Sequence, residues 1–293
     1  MDEQRIDRAL LVPGDIVQLT DPKGRHHTLT LEPGRSFHTH RGGISHDDLI
    51  GQSEGCVITS TGGTTYVVLR SNLEDFVLAM PRGAAVIYPK DAARIVMATG
   101  VRPGGRVLEA GAGSGALTCS LLSAVGGGGL VVSCELRPDF AEIARKNVER
   151  WFGGPPESWR LLVGDLSDRD WAKYAPFDAL VLDMLDPWNH LDAAHAALRP
   201  GGTLVSYVAT TTQLSQTAEA LRAAQSWTEP RAEESMVRTW HLEGLAVRPD
   251  HRMIAHTGFL LITRRLAEGT VAPLRRRRPA KGAYPEADAE NAG

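Results

Sequence analysis

A chain of 293 residues with 42% hydrophobic content is long enough for one large core and a smaller companion, and a net charge of −3 by itself names no highly charged partner. Its three cysteines, Cys56, Cys119 and Cys134, are odd in number and lack C-x-x-C spacing, which argues against a disulfide framework and a thiolate metal site. No apolar run approaches the ~18 residues that cross a bilayer, and the acidic first residues lack the basic start of a signal peptide, so a cytoplasmic protein is expected, with no membrane partner.

Residues 1–75 alternate short β-prone runs with turn signals. Strands are predicted over 15–19, 27–31, 36–39, 57–59 and 66–69, cut by Pro-Lys-Gly, Pro-Gly and Gly-Gly turns, and together they form a small barrel-like β-domain. His26, His27, His38, His40 and His46 fall here, with His38 and His40 on one strand face. No carboxylate or thiol stands in ligand spacing to them, so no metal is expected. A short helix over 72–80 and a crossing over 81–90 lead into the second domain, 76–268. Asp91 is expected to cap a helix reaching residue 99, with Tyr88 near the ligand site.

From residue 106 the pattern becomes regular: strand 106–110, helix 115–125, strand 130–134, helix 138–151, strands 160–163 and 178–183, helix 188–198, strand 203–208, helix 212–225. Strands spaced by helices mean a parallel, doubly wound α/β sheet. Two β-prone runs, 231–243 and 256–264, have no long helix between them and are expected to pair as an antiparallel hairpin closing the sheet edge.

The first strand of this sheet ends in Glu-Ala-Gly-Ala-Gly-Ser-Gly at 109–115. Gly111, Gly113 and Gly115 leave a strand-to-helix turn bare for a ligand, but the spacing is G-x-G-x-G and not the G-x-G-x-x-G of a dinucleotide fold. Glu109 would repel a pyrophosphate, whereas it could accept from the ammonium of S-adenosylmethionine (AdoMet), a sulfonium cofactor without phosphate. An NAD-dependent oxidoreductase is accordingly disfavoured. Ligands of doubly wound sheets lie beyond the carboxyl ends of the strands, and acids stand at three further ends. Glu135 suits ribose hydroxyls and Asp165 the adenine amino group, Asp183 ends the fourth strand, and Tyr207 lies in the next. Past residue 268, Arg275, Arg276, Arg277 and Arg278 form a run flanked by Pro273 and Pro279 in a basic then acidic tail, 269–293, which reads either as a solvated segment or as an RNA-binding arm.

These segments, with Tyr-Pro-Lys-Asp at 88–91, Asp-Met-Leu-Asp-Pro-Trp at 183–188, Tyr-Val-Ala-Thr-Thr-Thr-Gln at 207–213 and His-Thr-Gly-Phe-Leu at 256–260, resemble the bacterial and archaeal tRNA adenine-N1 methyltransferases that modify the T-loop adenine, position 58. The resemblance extends from the N-terminal β-domain to about residue 265. It implies a class I AdoMet-dependent methyltransferase (Rossmann-like) domain beside a small β-domain, a tRNA substrate and a homotetramer. It also implies that Glu135 holds the ribose, Asp165 the adenine, and Ser114, Gly115, Ala116 and Leu117 the methionine end of AdoMet. Asp183 becomes the catalytic carboxylate. Adenine N1 has an in-plane lone pair and needs no strong base, so positioning and charge stabilisation carry the reaction, with Tyr88, Tyr207 or Trp188 stacking on the extruded base. Ala84-Ala85 stands where the family often has Thr-Gln. Competing readings are methylation of another RNA or of an exocyclic adenine amine, the latter suggested by Asp186-Pro187-Trp188, and a non-catalytic RNA-binding subunit of a modification complex.

Overall fold

The computed structural model describes residues 9–83, 85–168 and 171–273. Six strands open the chain: β1 (Ile16–Thr20), β2 (His26–Thr30), β3 (Ser36–Thr39), β4 (Gly42–Ser45), β5 (Val57–Thr59) and β6 (Thr65–Arg70). Four of them make an antiparallel sheet in the order β2-β1-β6-β5, and β3 pairs with β4 as a separate hairpin. Along β6 the alternation is strict, with Tyr66 and Val68 buried and Val67 and Leu69 exposed, and the inward set joins Leu11, Val17, Leu19, Leu31 and Leu49 in a core of its own. Strand β4 is not legible in the sequence because it begins with two glycines. They are there for space: a Cβ on Gly42 would lie 2.2 Å from the Gly62 amide nitrogen.

Helix α1 (Leu73–Ala79) starts with a capping box between Asn72 and Asp75. Helix α2 (Pro89–Thr99) corrects the expectation for Asp91. Tyr88 occupies the cap position, Pro89 opens the first turn with its fixed φ, and Asp91 lies fully buried inside that turn.

The second sheet is built from β7 (Arg106–Ala110), β8 (Leu130–Glu135), β9 (Trp159–Val163), β10 (Phe177–Asp183), β11 (Leu198–Val208), β12 (Arg231–Glu233) and β15 (Phe259–Arg264), ordered β12-β15-β11-β10-β7-β8-β9. Strands β7 to β11 run parallel, while β15 is antiparallel to β11. Helices α2, α3 (Ala116–Val125) and α4 (Pro138–Phe152) cover one face through Ile95, Leu121 and Val148; α5 (Leu191–Ala197) and α6 (Thr211–Ala224) cover the other through Ala194 and Leu221. This is the expected class I methyltransferase arrangement. The chain winds outward from β7 in one direction and from β10 in the other, so the crevice of the fold opens between the ends of these two strands.

The C-terminal expectation holds only in part. Of the run 231–243, three residues pair with β15, while β13 (Trp240–Glu243) and β14 (Ala246–Pro249) fold on each other as a separate hairpin. The tight turn at Gly244, with φ +53°, reverses the chain before it can extend the large sheet.

Candidate active site

The parallel register fixes the site. Ala110, the last residue of β7, stands opposite Leu182, and Asp183 stands opposite Tyr207, so glycine loop, acid and ring emerge at one edge of the sheet. Gly111 leaves β7 with φ +93°, and a Cβ there would lie 1.9 Å from the Asp183 carbonyl oxygen. Only a glycine allows the loop and β10 to approach so closely. Glu135, at the end of β8, then ties the loop down: its carboxylate accepts from the Gly113 N–H at 2.8 Å and from the Arg137 N–H at 3.0 Å.

Around this junction lies a cavity of about 760 Å³. Tyr88, Gly111, Gly113, Glu135, Asp165, Asp183 and Tyr207, all expected at the site, line it. Four carboxylates face it, counting Asp186, and the guanidinium on its wall, Arg137, is already paired with Asp139 at 2.7 Å. Such a surplus of negative charge suits a sulfonium and an ammonium and opposes a pyrophosphate. The cavity therefore fits AdoMet by the chemistry of its lining.

Other expectations need correction. Glu109 does not reach the cavity: it is 1% exposed beneath the loop, its Oε2 accepting from the Thr118 and Ser133 hydroxyls, each at 2.6 Å. Burial pushes its carboxyl up to about 7, with the charges of Asp183 and Glu135 adding to the shift and the two hydroxyls opposing it. A strand residue facing the helix layer has no path to a ligand beyond the strand end. Ser114, Ala116 and Leu117 are also buried, and Gly115 packs where a Cβ would meet the Ala144 carbonyl oxygen at 3.1 Å. None of Ser114, Gly115, Ala116 and Leu117 is among the residues that line the cavity. Trp188 does not line the cavity. Asp186 holds the cap position of the turn Pro187–His190 without a cap bond, and accepts instead from the Asn189 amide at 2.8 Å. Arg275, Arg276, Arg277 and Arg278, and Ala84, lie outside the described residues.

Asp183 is the least committed acid at the site. Among the described residues, no side chain or backbone donor bonds its carboxylate, and burial, helped by the Glu135 charge, pushes it up to about 7. Tyr207 is 9% exposed, its hydroxyl pushed up to about 12 mainly by burial, so it stays a neutral donor. Among the lining residues that escaped the sequence reading, His256 and Thr257 arrive from the far side of the 240–249 hairpin. Both ring nitrogens of His256 face acceptors, Nε2 3.0 Å from the Ala209 carbonyl oxygen and Nδ1 3.1 Å from a Glu234 carboxylate oxygen, contacts that favour the doubly protonated ring and raise its pKa. The signal available was the His-Thr-Gly-Phe-Leu segment itself, though nothing in its spacing pointed to the cavity.

Two family profiles match the chain: TrmI-like N-terminal over residues 10–58, and tRNA methyltransferase complex GCD14 subunit over residues 64–247. The tRNA (adenine(58)-N(1))-methyltransferase TrmI of Thermus thermophilus is 36% identical over 255 residues, covering 86% of this chain and 97% of that protein. The tRNA (adenine(57)-N(1)/adenine(58)-N(1))-methyltransferase TrmI of Methanocaldococcus jannaschii is 31% identical, over 84% of this chain and 93% of that one. Among solved structures, a protein of Thermotoga maritima described as a SAM-dependent O-methyltransferase superposes with TM-score 0.82 at 30% identity, over 94% of this chain and 98% of that one. The tRNA (m1A58) methyltransferase TrmI of Aquifex aeolicus superposes with TM-score 0.76 at 26% identity, over 88% and 99%.

Proposed function

Since the chain belongs to the GCD14/TrmI family of tRNA methyltransferases, we propose that it methylates N1 of adenine 58 in the T-loop of tRNA, with Asp183 as the catalytic carboxylate. AdoMet, the methyl donor, supplies an electrophilic methyl group on a sulfonium. The observation that carries the reading is Asp183 itself: an acid on the cavity wall, beside the glycine loop, with no donor among the described residues bonded to it.

In this reading Glu135 accepts from the ribose hydroxyls while it keeps the Gly113 N–H, since each carboxylate oxygen has a second lone pair. Asp165 takes the adenine amino group of the cofactor, with its other bond to the Ser167 N–H at 2.7 Å holding its orientation. Asp183 accepts from the exocyclic amine of the target base, turning N1 toward the methyl group and stabilising the positive charge that grows on the purine. Tyr88 and Tyr207 supply ring faces for the extruded base, offsetting part of an unstacking cost of a few kcal/mol. Arg275, Arg276, Arg277 and Arg278 add four cations for phosphates of the tRNA backbone. A chain split into residues 1–75, 76–268 and 269–293 then has a β-domain, a catalytic domain and a basic arm. Two further readings belong here. The exposed apolar side chains of the 240–249 hairpin support assembly into the homotetramer the resemblance implies, and three free cysteines support a cytoplasmic setting.

The test is nucleoside mass spectrometry after incubating unmodified tRNA with the protein and labelled AdoMet. The expected product is 1-methyladenosine at position 58, lost when that adenine is replaced. Asp183→Ala should lower the single-turnover rate by about 100-fold or more, near 2.7 kcal/mol of transition-state stabilisation, while AdoMet affinity changes little. N6-methyladenosine or a ribose-methylated product would overturn the assignment, and full activity of Asp183→Ala would remove its carboxylate from the chemistry.

A further inference from the structure

Behind the cavity wall lies an ion pair that no step above uses. Asp91 is fully buried, and the Lys90 side chain is 7% exposed. The Lys90 ammonium lies 2.9 and 3.0 Å from the two Asp91 oxygens, and donates to the Ser235 carbonyl at 2.7 Å and to the Thr257 hydroxyl at 2.6 Å. Asp91 in turn accepts from the Ser235 hydroxyl at 2.6 Å, the Thr257 hydroxyl at 2.6 Å and, more loosely, the Tyr207 hydroxyl at 3.5 Å. One carboxylate thereby joins the first turn of α2, the end of β11, and both feet of the excursion that carries the 240–249 hairpin.

A buried ion pair is a poor means of adding stability, because desolvation offsets most of its attraction and well-packed apolar residues usually do as well. What it provides is direction. Thr257 and Tyr207 line the cavity, whereas Lys90, Asp91 and Ser235 do not, so the node acts on the site through the groups it orients. From the other side Gly258 closes on the Tyr207 ring, where a Cβ would lie 2.4 Å from the ring carbon bearing the hydroxyl. Ring and hydroxyl are thus held at both ends. Tyr88, the cap residue of α2, stands three residues from Asp91 in the same first turn.

We propose that Asp91 is a positioning residue for methyl transfer, holding Tyr207 and Thr257 as one fixed wall against which the target base is placed. The proposal rests on the tRNA methyltransferase reading above. In-line attack tolerates little displacement, so a loosened wall costs rate at the chemical step rather than affinity.

The test uses the full chain with tRNA and AdoMet, and two sets of variants. Lys90→Met with Asp91→Asn removes both charges together and leaves no stranded ion. Thr257→Val removes the bridging hydroxyl at constant size, and Thr257→Ser restores it. The double variant and Thr257→Val are each expected to lower the single-turnover rate at saturating tRNA by about 10- to 50-fold, with AdoMet and tRNA dissociation constants within about 3-fold of wild type. Thr257→Ser is expected to recover to within about 3-fold. A merely structural role would move the melting temperature and the folded fraction without this split between rate and affinity. Should the double variant not fold, Ser235→Ala, which touches the node without lining the cavity, together with the Thr257 pair decides the matter. Wild-type rates in the folded variants of an active enzyme overturn the positioning role alone; a wild-type protein that leaves tRNA unmethylated overturns the functional reading, and the positioning role with it.

Discussion

At the residue scale the site turns on a carboxyl held near neutrality. Asp183, pushed up to about 7 by burial, keeps a proton in the folded protein over the interval from about pH 4 to 7 in which an unfolded chain has released it. Its contribution to stability is therefore complete below its ordinary value and is lost as pH rises through 7. Asp183→Asn should raise the melting temperature of the ligand-free protein at pH 8 and leave it nearly unchanged at pH 4. A sulfonium beside the carboxylate favours the ionised form, so AdoMet binding at pH 6.5 should release protons, and calorimetry in two buffers of different ionisation enthalpy should show the release reduced in Asp183→Asn. Equal proton release in that variant would assign the titration to Glu109, the other carboxyl raised to about 7. Catalysis runs in the opposite direction to stability: the ionised acid is the form that stabilises a cationic purine, so the single-turnover rate should climb with pH.

At the element scale, the strand-loop-helix unit from β7 to α3 is held by three glycines that do different work, and substitution should grade them. Gly111→Ala places a methyl group 1.9 Å from the Asp183 carbonyl oxygen at φ +93°, which should cost more than 3 kcal/mol of stability or abolish AdoMet binding. Gly115→Ala meets the Ala144 carbonyl at 3.1 Å with φ +81° and should be intermediate. Gly113→Ala has open space and φ +53°, a left-handed conformation that costs roughly 1–2 kcal/mol, and should be mildest. Thermal unfolding and AdoMet titration of the three variants check the order, and a Gly113→Ala protein worse than Gly111→Ala would refute it. This unit was also the most legible part of the sequence, because a short β-prone run, a glycine-rich turn and a helical period follow one another without interruption. Legibility failed where a side chain's direction decided the matter. Glu109 has the right type and place for a ligand contact but faces the helix layer, and Asp91 looks like a cap but sits inside the turn that Pro89 starts. It failed again where the chain doubles back: His256 and Thr257 reach the cavity only because 240–249 pairs with itself, and such a return leaves no periodicity to read.

At the scale of the whole molecule, the 240–249 hairpin is the surface least suited to a monomer. Trp240 is 55% exposed, Leu242 74%, Leu245 104% and Val247 56%, a concentration of apolar side chains on one projecting ribbon that water disfavours. Each releases about 1.5–3 kcal/mol when its apolar surface is covered, which favours a second copy of the chain as the cover in the proposed homotetramer. If the proposed homotetramer forms through this ribbon, Leu242→Asp with Leu245→Asp should split it, with sedimentation moving toward the 31.7 kDa of one chain at micromolar concentration. The isolated chain should keep its melting temperature within a few degrees, because neither side chain belongs to its core. Ser235 and Thr257 stand at the two feet of this excursion, bonded to Asp91, so an uncovered hairpin should also loosen the cavity wall. The dissociated variant is expected to bind AdoMet at the glycine loop as before and to transfer methyl groups more slowly. Wild-type protein that sediments as a single chain would refute the assembly, and a dissociated variant with undiminished turnover would show that the wall holds its geometry without a partner.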